Sequence, residues 1–186
     1  MVRILGGESR GRKLLGPKGL RFRPTTGRVK ESIFNYLNQK VEGSRFLDLF
    51  SGTGALGLEA LSRGAKEIYF IEKSSYSINL LSRNIDLCGY KAKTRIFKGD
   101  VFEVVKKLGR VNEIFDIILA DPPFKEGFHS KILSTVSQSE VLLPKGLLVI
   151  EHESHDKDDG HHQLEPIKQK QFGASVVSIY QKLGDA

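Results

Sequence analysis

The segment Asp121-Pro122-Pro123-Phe124 combines a carboxylate, two proline carbonyls and an aromatic ring. Proline has no backbone N–H, so Pro122 and Pro123 offer acceptors without donors, and the residue before each proline favours extended backbone. The Asp121 carboxylate and the Pro122 carbonyl can together accept both hydrogens of one planar amine, while Phe124 stacks on the ring that carries it. This chemistry suits the exocyclic amine of a nucleobase, whose delocalised lone pair becomes more nucleophilic when its hydrogens are accepted.

A second candidate site is the segment DLFSGTGALG at 48–57, whose last six residues match the dinucleotide fingerprint G-x-G-x-x-G. Glu72 follows about twenty residues later, where a dinucleotide site holds its ribose. Asp48 lies four residues before the first glycine, and an anion there disfavours a pyrophosphate. The same anion suits S-adenosylmethionine, which carries a sulfonium and an ammonium group but no phosphate. The segment favours this methyl donor, and a nicotinamide oxidoreductase remains an alternative.

Acidic residues stand at the ends of three successive predicted strands, where ligands of open α/β sheets bind. Asp48 ends the first strand. Glu72 ends the second, where it can accept both ribose hydroxyls, and Asp100 follows the third, where it can accept the amine hydrogens of adenine. Each acid alone is better explained as a loop carboxylate or a helix N-cap. Their recurrence at three strand ends indicates a cofactor site.

Apolar runs alternate with helical patterns from Arg45 onward, which predicts a parallel sheet with helices on both faces. The final segment, LEPIKQKQFGASVVSIYQK, predicts two strands joined near Gly173 and hence an antiparallel hairpin at one sheet edge. Ahead of the sheet, RPTTGRVKESIFNYLNQK predicts a helix that begins near Thr26. The predicted strands are RFLDLF, KEIYFIE (66–72), TRIFKGD, FDIILAD (115–121) and GLLVIEH, and the helices between them are ALGLEALSRGA, SYSINLLSRNIDLCG, VFEVVKKLG and GFHSKILSTVSQ.

The excess positive charge lies in the first quarter of the chain. The 186 residues carry a formal net charge of +7, of which residues 1–45 contribute +8 and the rest −1. A basic segment beside a neutral domain indicates a polyanion partner, although a solvated basic face explains the charge alone equally well. We expect residues 1–25 to form a basic arm or β-hairpin for RNA and residues 26–186 the catalytic domain. The predicted phosphate contacts are Arg10, Arg12, Lys13, Arg21, Arg23 and Arg28.

The composition of the chain favours a cytoplasmic protein over a membrane or secreted one. The chain has 39% hydrophobic residues and one cysteine, and it shows neither a membrane-length apolar run nor a signal-peptide pattern at its start, so we expect a cytoplasmic protein away from membranes. Cys88 lies on the apolar helix face of Ile78, Leu81 and Ile85 and is predicted to be a core residue. We expect a monomer and no metal, because His152, His155, His161 and His162 lack cysteine partners and helical ligand spacing and fit a polar loop better.

The segments RILGGESRGRKL, RPTTGRVKESIFNYL, FLDLFSGTGALGLEALSRGA, FIEK and DPPF cover nearly the whole chain. In these segments the chain resembles the bacterial RsmD-type methyltransferases, which methylate the N2 amine of a guanine in small-subunit (16S) ribosomal RNA. The resemblance implies a Rossmann-like α/β fold with the seven-stranded, mostly parallel sheet of class I S-adenosylmethionine-dependent methyltransferases. It assigns Asp121, Pro122, Pro123 and Phe124 to the target base. The implied cofactor residues are Asp48, Ser51, Gly52, Thr53, Gly54, Glu72, Lys73, Asp100 and Val101.

The resemblance also implies that the basic arm grips 16S ribosomal RNA, within the small subunit or an assembly intermediate. An exocyclic amine inside a paired helix is blocked, so the target guanine must be unpaired or extruded. Two alternatives remain: an amino-methyltransferase acting on adenine or cytosine in DNA, and a non-catalytic assembly factor on the same scaffold. The absence of room for a separate target-recognition domain weighs against the DNA enzyme.

Overall fold

The computed structural model describes residues 2–17, 26–123, 127–153 and 163–184. These ranges contain five α-helices and seven strands. In chain order they are α1 (Gly27–Leu37), β1 (Arg45–Leu49), α2 (Ala55–Ser62), β2 (Glu67–Glu72), α3 (Ser75–Cys88), β3 (Thr94–Lys98), α4 (Val101–Arg110), β4 (Phe115–Ala120), α5 (Phe128–Ser139), β5 (Leu142–Glu153), β6 (Leu164–Phe172) and β7 (Ser175–Lys182).

The strands form one sheet in the order β3-β2-β1-β4-β5-β7-β6. Strands β1 to β5 are parallel, and β7 runs antiparallel to both β5 and β6. The predicted parallel sheet with a C-terminal hairpin is therefore confirmed. The strand order reverses between β1 and β4, which opens a crevice beyond their carboxyl ends. Because Leu49 pairs with Ala120, the glycine segment and the DPP segment emerge side by side at this crevice.

Both faces of the central strands β1, β2 and β4 are buried, as parallel strands require. In β2, Ile68 and Phe70 enter the core that lies against α1, α2 and α3. Tyr69 and Ile71 alternate to the opposite face, where they meet the core formed with α4 and α5. The sheet is thus the middle layer of three, and its loops at the carboxyl ends of the strands are held by rigid elements on both sides.

The start of the chain folds into a small hairpin, as predicted. Arg3 bridges Lys13, and the Ile4 N–H donates to the Arg12 carbonyl at 3.0 Å. Ile4 and Leu14 are buried in the same core as α1 and α2, so the described part of the arm is docked on the domain. A domain boundary near residue 25 stays a prediction.

The predicted helices α1 and α3 are confirmed, and they differ from the prediction in the first residue of α1 and in the residues on the buried face of α3. The Thr26 hydroxyl accepts from the Val29 N–H and caps α1, which begins one residue later. On α3 the buried face contains Ser77 and Asn84 as well as Leu81 and Ile85. Cys88 packs against the core but is only half-buried, and burial raises the pKa of its thiol.

No described helix has the length and apolar character needed to cross a bilayer.

The sequence offered His152 both as the last residue of the predicted strand GLLVIEH and as part of a polar loop; the structure confirms the strand, and the loop interpretation is wrong for this residue. His152 lies in β5, which is longer than its apolar run suggested, and the side chain is buried. Its ring stacks on that of His129 at a centroid distance of 4.1 Å, and its Nε2 lies 2.8 Å from the Ser178 hydroxyl. The hairpin strand β7 supplies this partner, so pairing across the sheet extends β5 through a polar residue. The predicted loop histidines 155, 161 and 162 lie outside the described residues.

Candidate active site

A cavity of about 650 Å³ lies at the carboxyl ends of β1 to β5. It brings together the two sites that the sequence suggested, because predicted cofactor and target-base residues line the same space. The predicted residues that line it are Asp48, Ser51, Gly52, Thr53, Glu72, Lys73, Asp100, Val101, Asp121, Pro122 and Pro123. Phe124 lies outside the described residues. Gly54 is not among the lining residues; it caps α2 in left-handed conformation.

The turn after β1 has the backbone geometry that its glycines allow. Gly52 has a φ of 54° and Gly54 a φ of 77°, and Phe50 adopts a φ of 58° although it is not glycine. A non-glycine residue in this region costs about 1–3 kcal/mol and is concentrated at ligand sites. The third glycine of the fingerprint has a different role: a Cβ on Gly57 would lie 2.3 Å from the Phe70 ring. Gly57 therefore lets α2 pack closely on the sheet.

Asp48 is buried beneath this turn, and one of its carboxylate oxygens accepts the Gly57 N–H at 3.1 Å. Desolvation raises the pKa of Asp48 well above its ordinary value, and the charges of Asp121 and Glu72 add to this effect. A cationic group placed in the cavity would offset both the desolvation of the Asp48 carboxylate and its repulsion by Asp121 and Glu72. The arrangement fits the ammonium of a methionine moiety and opposes a phosphate.

Glu72 is oriented by backbone N–H groups on both of its carboxylate oxygens. Oε2 accepts from Gly52 at 2.8 Å, and Oε1 accepts from Lys73 and Ser74 at 2.8 Å each. Its carboxylate is thus held at the cavity wall, with one acceptor position of Oε2 remaining for a ligand hydroxyl. The contact from Gly52 also fixes the glycine turn against the end of β2.

Asp100 serves as a helix cap and as a wall of the cavity. Its Oδ1 accepts the Phe102 N–H at 3.1 Å, which caps α4, and its Oδ2 lies 3.8 Å from the Lys73 ammonium. The N-cap explanation and the cofactor explanation of this acid are therefore compatible. The three predicted cofactor acids line one half of the crevice, beyond β1, β2 and β3.

The sequence argument missed nine of the lining residues, and four of these bear on the chemistry of the site. Phe50, Phe102 and Phe128 form an aromatic trio with centroid distances of 5.6 to 6.1 Å, and rings in such clusters offer faces and edges for a planar ligand. Glu151 is the fourth. A signal for Glu151 was present, because it stands near the end of a predicted strand as Asp48 and Glu72 do.

Comparison with known proteins shows the family to which this chain belongs. A family model described as Conserved hypothetical protein 95 matches residues 2–181. The Haemophilus influenzae protein named Ribosomal RNA small subunit methyltransferase D is 33% identical over 183 residues, which cover 97% of this chain and 93% of that protein. The Escherichia coli protein of the same name is 35% identical over 153 residues, covering 82% and 75%. The chain belongs to this family, the RsmD family.

Solved structures agree with the RsmD-family fold. The Escherichia coli protein yhhF superposes with a TM-score of 0.86 at 30% identity and covers 99% of each chain. An RNA methyltransferase from Salinibacter ruber in complex with S-adenosyl-L-homocysteine gives a TM-score of 0.69 at 17% identity, covering 88% of this chain and 96% of that one. The second likeness concerns the fold alone. This is the fold of S-adenosylmethionine-dependent methyltransferases.

The basic residues of this RsmD-family chain lie partly within the described ranges. Arg10, Arg12, Lys13 and Arg28 are exposed, as phosphate contacts must be. The Arg12 guanidinium also donates to the Leu87 carbonyl at 2.7 Å, which ties the hairpin to α3. Arg21 and Arg23 lie outside the described residues. Within the described ranges, no group of three His, Cys, Asp or Glu side chains is placed to hold a metal.

Proposed function

We propose that this protein transfers a methyl group from S-adenosylmethionine to the exocyclic N2 amine of a guanine in 16S ribosomal RNA. The observation that carries the proposal is the shared cavity, in which Asp121, Pro122 and Pro123 lie with the three acids of the cofactor half. The relatives named Ribosomal RNA small subunit methyltransferase D support the RNA substrate. The target amine and its base are our inference from the chemistry of the DPP segment.

The charges of the cavity residues fit the cofactor. Asp48 faces the methionine ammonium, Glu72 accepts a ribose hydroxyl, and Asp100 accepts a hydrogen of the adenine amine, with Lys73 and Val101 beside it. Bound there, the cofactor supplies a methyl group that is already activated by the positive sulfur. The protein needs only to align the acceptor amine and to exclude water, and the aromatic trio provides apolar walls for both tasks.

Asp121 is the proposed catalytic residue. Its carboxylate and the Pro122 carbonyl accept the two hydrogens of the guanine N2 amine, which returns electron density to nitrogen as it attacks the methyl carbon. The C–S bond breaks as the N–C bond forms, and the proton released by the nitrogen passes to Asp121 or to water. Phe124 is proposed to stack on the guanine ring.

The RNA substrate is proposed to reach the cavity through the basic arm. A paired guanine cannot enter, so the base is taken from a single strand or is extruded. The exposed basic residues bind phosphates and set the position of the RNA. We further propose that the protein acts as a cytoplasmic monomer on the small subunit or on one of its assembly intermediates.

Transfer of tritiated methyl groups tests the function. Purified protein is incubated with free 16S RNA, with assembled small subunits and with DNA of matched length, and the labelled nucleotide is then mapped. We expect label at one guanine N2 in one of the two RNA forms. Label in DNA adenine or cytosine would support the DNA enzyme instead, and absence of transfer to every substrate would support a non-catalytic assembly role.

A further inference from the structure

The proposed function assigns no role to the carboxylate of Glu151. It lies in β5, is 6% exposed and lines the active-site cavity. The three acids of the cofactor half lie in or directly after strands β1 to β3, whereas Asp121 follows β4 and Glu151 lies near the end of the neighbouring β5. Glu151 therefore lies in the half of the crevice where the target base is proposed to bind.

The sheet register places Glu151 beside Asp121. Ala120 pairs with Ile150, so the next residue on each strand stands at the same level, with strands about 4.8 Å apart. Leu119 and Val149 face one core while Ala120 and Ile150 face the other. Since side chains alternate along a strand, Asp121 and Glu151 share a face. The cavity thus presents two neighbouring carboxylates to the target base.

Two adjacent acceptors match guanine and mismatch the other amino-bearing bases. Guanine carries its N1–H donor directly beside the N2 amine, whereas N1 of adenine and N3 of cytosine are acceptors. Resting on the proposed function, we propose that Glu151 accepts the guanine N1–H while Asp121 accepts from N2. Glu151 is then the residue that selects guanine, because an acceptor brought against its carboxylate leaves two buried groups without a donor.

The test compares guanine with 2-aminopurine, which keeps the 2-amine but has an unprotonated N1. Two 16S RNAs are ligated with guanine or 2-aminopurine at the position mapped in the transfer experiment. For the unmodified protein we expect kcat/KM for guanine to exceed that for 2-aminopurine about 10- to 100-fold. In Glu151→Gln the ratio should fall at least tenfold, because the glutamine amide can donate to the N1 of 2-aminopurine.

The matched control is Glu153→Gln, the same substitution two residues further along β5 and at a residue that is not among those lining the cavity. It should keep the unmodified ratio. The ratio is internal to each variant, so partial misfolding does not alter it. An unchanged ratio in Glu151→Gln, or a cofactor Kd raised more than tenfold with the ratio unchanged, would overturn the assignment. Failure of the unmodified protein to methylate the guanine RNA would instead refute the proposed function.

Discussion

Asn84 joins the N-terminal hairpin to the glycine turn after β1, and its removal should loosen both segments. The side chain is fully buried on α3. Its Oδ1 accepts the Leu15 N–H at 2.7 Å, and its Nδ2 donates to the carbonyls of Leu15 at 3.0 Å and Thr53 at 2.9 Å. One amide thus holds the segment after the hairpin and the glycine turn in fixed relative positions.

Substitution of Asn84 by alanine removes all three hydrogen bonds. At about 1 kcal/mol net for each bond, the free energy of unfolding should fall by about 3 kcal/mol. This is a large share of the 5–15 kcal/mol typical of a domain, yet it leaves the folded state populated. Because the Thr53 carbonyl loses its buried donor, the turn that lines the cavity should also hold the cofactor less tightly. The same loss frees the backbone of Leu15, so the hairpin should become more accessible to protease.

Urea unfolding, limited proteolysis and cofactor titration measure the three effects of Asn84→Ala. The matched control is Asn79→Ala, the same change at an exposed position of the same helix, which should alter stability by no more than about 0.5 kcal/mol. A loss below about 1 kcal/mol for Asn84→Ala, or equal losses for both variants, would refute the idea that this amide fastens the hairpin to the turn.

Three further predictions follow from the site. Asp121→Ala should lower methyl transfer at least about 100-fold while the cofactor Kd stays within threefold; turnover close to that of the unmodified protein would rule out the acceptor role. Burial raises the pKa of Asp48 above its ordinary 3.8, so the folded state loses stability as pH rises through and above that value. Urea unfolding at pH 4 and pH 7 should therefore show Asp48→Asn gaining stability relative to the unmodified protein at the higher pH, and a constant difference would contradict this. Replacing Arg10, Arg12 and Lys13 together with alanine should weaken RNA binding and reduce the salt slope by about 2 to 3, with cofactor binding unchanged; filter binding at several salt concentrations decides.

The fold was predictable because local patterns and sheet topology agree in this chain. The runs that became β1, β2 and β4 are short, apolar and separated by helical periodicity, and Gly89 ends α3 in left-handed conformation as its type suggests. The polarity of His152 left two interpretations open, the end of the strand GLLVIEH and a polar loop, because its pairing partner is not visible in the local sequence. Only the alignment of β5 with β7, which brings Ser178 to its ring, shows that this histidine belongs to the sheet.

Site residues were predictable where they stand at the end of a predicted strand. They were not predictable where only tertiary packing brings them to the cavity. Asp48, Glu72 and Asp121 could be found because parallel strands deliver their carboxyl ends to one crevice. The aromatic trio could not, since Phe50, Phe102 and Phe128 come from three separate loops and helices. Their convergence results from packing between α4 and α5 and from the strained turn after β1.

The charges around the cavity determine which class of ligand the glycine segment can bind in this protein. Five carboxylates line the cavity, from Asp48, Glu72, Asp100, Asp121 and Glu151. Lys73 is the only lysine or arginine among its described lining residues, and its ammonium already faces Asp100 at 3.8 Å. A pyrophosphate would add charge of the same sign in a partly desolvated space, whereas a sulfonium with its ammonium neutralises part of it. The basic hairpin carries the opposite charge outside the cavity, where a nucleic acid can meet it. Under the proposed function, the cavity would take the cationic donor and the basic hairpin would meet the polyanionic acceptor, while the glycines contribute geometry that either kind of ligand could use.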